Sequence, residues 1–196
     1  GVEVKPIKNM AGDKHFAEIF FTDVQVPVEN RLGAEGEGWK VTVSALANER
    51  SSIGEVTQMF SKLDELKDLV KSTRVQGKPA AEDPAVRRQL ARFETKIAAM
   101  KYNGLRYLTK QIKGEPLSSE TSVNKLHRAS LEIEMDDFAV SLSGEAGLQL
   151  KGGENAVGGG SWSKSALNWP NVVIGGGTPN IQRNIIAERI LGLPKD

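Results

Sequence analysis

The sequence predicts a mainly α-helical fold, an antiparallel bundle of long helices preceded by a short β segment. Two observations lead to this prediction. Beyond residue 39, apolar residues recur at alternating spacings of three and four over three long stretches, and short loops join these stretches. Before residue 36, aromatic and β-branched residues cluster instead and are followed by glycines.

The β segment is centred on "FAEIFFTDVQV", residues 16–26, which Pro27 closes. We predict a strand, a turn at Thr22 and Asp23, and a short second strand. The three glycines of "ENRLGAEGEGW" predict a loop over residues 29–38. So short a β segment does not bury a core of its own.

The first two helices have clear periodicity and clear ends. The first runs from Trp39 to about Ser72. The second begins after Asp83, a good N-cap, with Pro84 at its first position, and stops at Gly114. The predicted apolar stripe of the second helix is Val86, Leu90, Phe93, Ile97, Met100, Leu105, Leu108 and Ile112.

Two further helices complete the predicted bundle. One spans about Ser122 to Ser143, and the last begins near Pro179 and ends at Gly192. Between them, "KGGENAVGGGS" is predicted to be a glycine-rich loop.

Composition excludes several classes of function. The 196 residues carry a formal net charge of +1, which gives no field for nucleic acid or an acidic membrane. With no cysteine and two histidines, thiolate chemistry is excluded and a multi-histidine metal centre is not expected. No apolar run is long enough for a membrane span and no targeting segment is visible, so we expect a cytoplasmic protein.

A carboxylate interrupts the apolar stripe of the first helix. The stripe reads Leu46, Glu49, Ile53, Val56 and Phe60, so Glu49 falls on the face that should be buried. A buried carboxylate is costly unless it is paired or protonated. On the residues alone, a structural ion pair is favoured over a general base whose pKa is raised by burial.

The segment "VIGGGTPNIQRNIIAERILGLP", residues 173–194, places three glycines before the last helix. Glycines let backbone N–H groups approach a ligand closely, and a helix N-terminus favours negative charge. Alone this is a weak signal, because many helices follow glycine loops.

Three motifs together resemble the acyl-CoA dehydrogenase family in its C-terminal half. "FFTDVQVPVENRLGAEGEGWKV" is similar to the last β-domain strands and the entry to the helical domain. "LANERSSIG" is similar to the first C-terminal helix, and "IGGGTPNIQRNIIAERILGLP" to the closing signature. The resemblance implies that residues 1–35 end a middle β domain and that residues 36–196 form the C-terminal helical domain.

The resemblance also implies a chemistry. Such enzymes bind FAD and oxidise an acyl-CoA thioester to the 2-enoyl-CoA. A glutamate takes the α proton, and electrons then pass to an electron-transfer flavoprotein. A homodimer or homotetramer is implied, and the fragment alone is expected to be inactive because other domains supply much of the site.

Family members place the base at one of two positions. In the closing signature that position is Gly176 here, which cannot act as a base. Glu49, in "NER", matches the alternative position used by the isovaleryl and long-chain enzymes. The resemblance therefore favours Glu49 as the catalytic base, with Arg50 matching an arginine near the substrate.

The implied cofactor residues are Gly177, Thr178, Asn180 and Arg74. The first three lie where the closing signature touches the flavin, and Arg74 is a candidate substitute for an arginine that reaches a neighbouring subunit's flavin pyrophosphate. Glu145 stands where the family usually has glycine in a cofactor loop.

These departures leave two other interpretations open. One is a non-catalytic partner or assembly subunit of a heteromeric enzyme with a degenerate flavin site, in which Glu49 is a structural charge. The other is a flavin oxidase that reacts directly with oxygen and carries the same residues.

Overall fold

The computed structural model describes residues 1–49, 53–115 and 119–195. The chain divides into two compact units, residues 1–50 and 51–196. Each unit is built from its own secondary structure and is described below by itself.

The first unit contains a two-stranded antiparallel sheet and one helix. Strands β1 (Val2–Ile7) and β2 (Phe16–Phe21) pair so that Val2 faces Phe21 and Ile7 faces Phe16. The strand predicted at residues 16–21 is confirmed, but its partner lies before it in the chain. No strand follows the turn at Asp23 within the described part of this unit, so the second predicted strand is wrong.

The predicted loop over residues 29–38 is largely confirmed and leads into helix α1 (Gly38–Glu49). Gly33 has a φ of +79°, and a Cβ there would lie 2.9 Å from Cγ2 of Val41. Glycine is therefore required at Gly33 by backbone conformation and by space.

The second unit is the helical bundle. Its helices are α2 (Ile53–Ser72), α3 (Pro84–Ile112), α4 (Thr121–Leu142), α5 (Ser161–Ile174) and α6 (Pro179–Ile185), followed by a π-helical turn over Ile186–Ile190. A small hairpin of β3 (Arg74–Val75) and β4 (Lys78–Pro79) connects α2 to α3. The predicted mainly α bundle is confirmed.

Helix α3 begins where the sequence predicts. The Asp83 side chain accepts hydrogen bonds from the backbone N–H groups of Ala85 at 2.6 Å and Val86 at 3.3 Å, and Pro84 follows it. Beyond the end of the helix, Gly114 has a φ of +71°. At 1.5 Å per residue the helix is about 44 Å long.

The core lies between α2, α3, α4 and α5. Phe93 is fully buried and packs edge-on against Phe138, with ring centroids 5.7 Å apart. The buried apolar side chains of this core are Val56, Met59, Leu63, Leu66, Leu69, Phe93, Ile97, Met100, Leu131, Met135, Ala139 and Trp162. Two predicted stripe residues of α3, Leu105 and Ile112, are instead exposed.

Helix α5 was not predicted. Glycines precede this helix, and the last of them, Gly160, adopts a left-handed conformation directly before Ser161. Pro170 lies inside the helix. Both features normally mark a loop. Burial of Trp162 near the start of α5 adds this helix to the core.

Candidate functional site

The proposed base lies at the end of α1. Glu49 is the last described residue of that helix. Its side chain, like the whole of Arg50, lies outside the described residues. The catalytic role of Glu49 and the substrate contact of Arg50 therefore stay predictions.

Between α5 and α6 the chain makes a tight turn, which we call the glycine turn (residues 175–178). Gly176 has a φ of +69° and Gly177 a φ of +98°, conformations that L side chains rarely adopt. The N–H group of Gly177 donates to the carbonyl oxygen of Ile174 at 3.1 Å. This backbone leaves position 176 unsuited to a carboxylate side chain.

Thr178 and Asn180 follow in the first turn of α6. The Thr178 hydroxyl oxygen accepts from the N–H group of Ile181 at 3.4 Å, which leaves its own proton for another acceptor. The exposed Asn180 side chain accepts from Arg183 at 3.1 Å through its oxygen. Uncharged donors beside side-chain-free backbone fit the polar edge of a flavin, so these residues suit FAD.

Two residues that the sequence did not single out bind backbone carbonyl oxygens in and just before the glycine turn. The Lys125 ammonium group of α4 donates to the Val172 carbonyl oxygen at 2.6 Å. Nε2 of Gln182, on α6, lies 2.8 Å from the carbonyl oxygen of Gly176 and 3.4 Å from that of Gly177. The sequence contains a signal for Gln182, because helical periodicity places this polar residue on the same face as Ile185 and Ile186.

Arg74 lies in a different place, in a groove of about 570 Å³. Its Nε and Nη2 donate to the Gly77 carbonyl oxygen at 3.0 and 2.6 Å. Ser141, near the end of α4, and Gly144, which precedes Glu145, line the same groove. Arg74 therefore lines the groove itself, whereas Glu145 is only the chain neighbour of a lining residue, Gly144.

The glycine turn and the Arg74 groove are far apart along α4. Lys125 lies beside the turn, and Ser141 lines the groove. Sixteen residues of helix separate them, which corresponds to about 24 Å. Within one chain, Arg74 and Gly177 are not brought together.

A third polar cluster joins α2, α4 and α5 beneath a groove of about 630 Å³. The Lys62 ammonium group lies 2.7 Å from Oδ1 of Asp136, and the Ser165 hydroxyl donates to Oδ2 of Asp136 at 2.8 Å. Burial raises the pKa of the Asp136 carboxyl, while Lys62 and Ser165 oppose that shift. No sequence signal pointed to this cluster.

Comparison with known proteins identifies the family. Residues 36–191 match the model of the acyl-CoA dehydrogenase C-terminal domain. The chain belongs to the acyl-CoA dehydrogenase family. The resemblance noted in the sequence is thereby confirmed, and the family consists of flavoprotein oxidoreductases.

Individual relatives agree with this assignment. The acyl-CoA dehydrogenase IpdE1 of Mycolicibacterium smegmatis is 34% identical over 100% of this chain and 47% of its own length. A chain of the ChsE4–ChsE5 complex from Mycobacterium tuberculosis is similar with a TM-score of 0.85 and 26% identity, over 100% of this chain and 51% of that one. PigA, solved with FAD and proline, shares the fold alone, with a TM-score of 0.80, 20% identity, and 98% and 49% coverage.

The acyl-CoA dehydrogenase domain described here spans about half the length of the relatives it matches. Over the residues with described positions, no three His, Asp or Glu side chains are grouped so that they could hold a metal ion. No helix in that part of the chain is long and apolar enough to cross a membrane.

Proposed function

We propose that this chain is the C-terminal portion of an FAD-dependent dehydrogenase that desaturates an acyl-CoA thioester between Cα and Cβ. In this proposal Glu49 accepts the proton from Cα. Bound FAD would supply the acceptor for the hydride that leaves Cβ, so that a trans double bond forms between the two carbons.

The observation that carries the proposal is that position 176, where many family members have their catalytic glutamate, is a glycine. The closing signature offers no carboxylate there, and the φ of +69° at Gly176 disfavours any side chain. An acyl-CoA dehydrogenase without a base at that position needs one elsewhere. Glu49, on the helix that matches the family's alternative position, supports that role.

A glutamate needs help to remove a proton from a carbon. Its ordinary pKa is too low for efficient proton abstraction near neutral pH. Burial against an apolar acyl chain would raise the pKa of Glu49 and strengthen it as a base. Arg50 is proposed to contact the thioester part of the substrate or to hold the helix end.

The cofactor would contact this chain at two places. Gly177, Thr178 and Asn180 are proposed to contact the flavin. The distance of about 24 Å along α4 supports Arg74 acting on the FAD of a neighbouring subunit. We therefore propose a dimer or tetramer, with reduced flavin reoxidised by an electron-transfer flavoprotein.

One observation favours a second candidate, a non-catalytic partner subunit. The Arg74 guanidinium is engaged with the Gly77 carbonyl oxygen, and Glu145 brings negative charge next to its groove. Both features would weaken binding of a pyrophosphate. In a heteromeric assembly the flavin site that Arg74 would complete could then be empty.

The test is anaerobic mixing of acyl-CoA thioesters with the full-length protein, followed by flavin absorbance. We expect wild type to bleach rapidly with at least one thioester. Glu49→Gln should keep its flavin and lose bleaching by a factor of about 10³ or more, as expected when a proton-abstracting group is removed. Glu35→Gln is the matched control, because the Glu35 side chain is 93% exposed in the same unit.

Each other outcome is informative. Bleaching that survives in Glu49→Gln would assign Glu49 a structural role. If wild type contains flavin but none of the thioesters bleaches it, the result would favour the partner subunit. The oxygen consumption of the reduced protein separates a dehydrogenase from an oxidase.

A further inference from the structure

An ammonium group and an amide NH₂ group bind backbone carbonyl oxygens in and just before the glycine turn, and neither residue was assigned a function above. Lys125 reaches it from α4 and Gln182 from α6. We propose that Lys125 and Gln182, the turn clamp, are positioning residues that set the conformation of the glycine turn for flavin contact. This inference rests on the proposed function.

The first step of the argument is the number of carbonyl groups that the clamp fixes. Lys125 binds the carbonyl oxygen of Val172, in the last turn of α5, and Gln182 binds those of Gly176 and Gly177. Three carbonyl oxygens over six residues are thus turned towards α4 and α6. Because each peptide unit is planar, fixing a carbonyl oxygen also fixes the plane of the peptide unit that carries it.

The second step is steric matching between the clamp and the glycines. A Cβ at Gly177 would lie 2.6 Å from Nε2 of Gln182, and a Cβ at Gly176 would lie 3.2 Å from Cε of Lys125. Each clamp side chain therefore occupies the space that the lack of a side chain leaves open. Glycine conformation alone would not require such close neighbours.

The third step concerns why Gln182 is present at all. Its side chain is 1% exposed, and its Oε1 has no hydrogen-bond partner among residues with described positions. A half-satisfied buried amide is a poor stabiliser compared with an apolar side chain of the same size. Positioning of the two glycine carbonyls explains its presence better than stability does.

The chemistry of the contact also selects the residue type. Carbonyl oxygens accept hydrogen bonds, so the clamp needs donors, and both an amide NH₂ group and an ammonium group supply them. Methionine has a similar length and no donor. The variants Gln182→Met and Lys125→Met therefore remove the hydrogen bonds while filling most of the space.

The test uses the full-length protein and two readouts. The first is hydrogen exchange of the backbone over residues 173–182, which reports on the turn without flavin chemistry. The second is the equilibrium constant for flavin dissociation. We expect Gln182→Met to speed exchange and to weaken flavin binding, each by about tenfold, the factor that corresponds to losing the shorter of its two hydrogen bonds, the one to Gly176.

Two further variants serve as controls. Lys125→Arg retains a donor and should stay close to wild type, whereas Lys125→Met should resemble Gln182→Met. Asn124→Leu removes another buried amide of α4, which donates to the Met100 carbonyl oxygen at 3.1 Å, on α3. It should lower thermal stability without changing exchange over residues 173–182 or flavin affinity in the folded state.

The outcomes that overturn the inference differ from those that overturn the proposed function. If wild type binds flavin that a thioester bleaches, and Gln182→Met equals wild type in both readouts, the turn clamp is refuted and the proposed function is not. Faster exchange with unchanged flavin affinity refutes its cofactor role. A wild-type protein that holds no flavin refutes the proposed function, and the clamp's role at the cofactor falls with it.

Discussion

The glycine turn and the Arg74 groove lie at opposite ends of α4, and they differ in how their positively charged residues are used. At the turn, the ammonium group of Lys125 holds a backbone carbonyl in place beside glycines. In the groove, the guanidinium of Arg74 donates hydrogen bonds to the Gly77 carbonyl oxygen of its own hairpin. The turn presents side-chain-free backbone beside uncharged side chains, whereas the groove contains a guanidinium that donates through Nε and Nη2 to its own hairpin.

Under the proposed function, one chain would keep the flavin half of a cofactor site while binding a pyrophosphate less well at the other half. Because the two regions are about 24 Å apart along the helix, substitutions in one need not disturb the other. Substitutions that affect only one of the two regions test this independence. A substitution on α4 between the two regions tests what links them.

The largest expected effect is at Asp136, which lies on α4 between the two regions. It pairs with Lys62 of α2, which leads into the Arg74 hairpin, and with Ser165 of α5, which leads into the glycine turn. Asp136→Ala leaves the Lys62 charge largely buried without its partner. We expect a loss of about 3 kcal/mol in the free energy of unfolding, measured by urea denaturation.

Asp137→Ala is the matched control, since Asp137 is the exposed neighbour on the same helix. It should change stability by less than about 0.5 kcal/mol. Equal losses in the two variants would contradict a role of the Asp136 cluster in joining the helices.

The second prediction compares two glycines with positive φ. Gly177→Ala would place a Cβ 2.6 Å from Nε2 of Gln182, whereas a Cβ at Gly77, with a φ of +79°, would meet nothing within 4 Å. We expect Gly77→Ala to cost about 1 kcal/mol from backbone strain alone. Gly177→Ala should cost about 2 to 3 kcal/mol, because overpacking adds to the strain.

Flavin binding extends this comparison. Gly177→Ala should release flavin from the full-length protein, and Gly77→Ala should retain it. Melting temperatures and bound-flavin absorbance measure the two effects. Equal costs for the two alanines would show that space at the glycine turn is not restricted.

Local signals in the sequence predicted much of the fold. Asp83, Pro84 and Gly114 mark the ends of α3 because capping depends on residues close in the chain. Periodicity predicts which face of a helix is apolar, but it does not say how far the partner helices extend. Leu105 and Ile112 continue the apolar face of α3 and are nevertheless exposed.

The site was less predictable because its contacts are tertiary. Lys125 and Val172, or Lys62 and Asp136, are distant in sequence and meet only through helix packing. Helix α5 was missed because the glycines before it and Pro170 within it imitate a loop. A buried polar residue on an apolar helix face, as at Gln182, is the signal that further sequence reading could use.

The third prediction concerns pH and again centres on Asp136. Burial raises its pKa in the folded state above the ordinary value of 3.8, with a further contribution from Glu132, and Lys62 and Ser165 oppose the rise. The folded protein therefore holds this proton more tightly than the unfolded chain does. Its contribution to stability is full below pH 3.8 and declines as pH rises through the folded-state pKa.

The measurement is the free energy of unfolding as a function of pH for wild type and Asp136→Asn. Asparagine cannot titrate, so the difference between the two curves should change above pH 3.8 and then level off. Wild type should lose stability relative to the variant over that interval. Parallel curves would mean that the Asp136 carboxyl keeps its ordinary pKa in the folded protein.

The smallest expected effect is at Glu145. It tests whether removing a negative charge beside the Arg74 groove strengthens FAD binding. Glu145 is exposed and follows Gly144 at the groove. Glu145→Gln removes a negative charge that would repel a pyrophosphate and should strengthen FAD binding by about twofold at low salt, with the gain vanishing as salt screens it. Glu154→Gln, at another exposed loop position, is the control and should leave affinity unchanged.

Titration of the apo full-length protein with FAD at two salt concentrations measures this effect. A salt-dependent gain in Glu145→Gln alone would show that the groove still contacts a phosphate and that Glu145 only weakens it. No gain at either salt concentration would mean that FAD does not reach the groove. The glycine turn would then be the cofactor contact that this chain retains, as expected of a subunit whose partner completes the site.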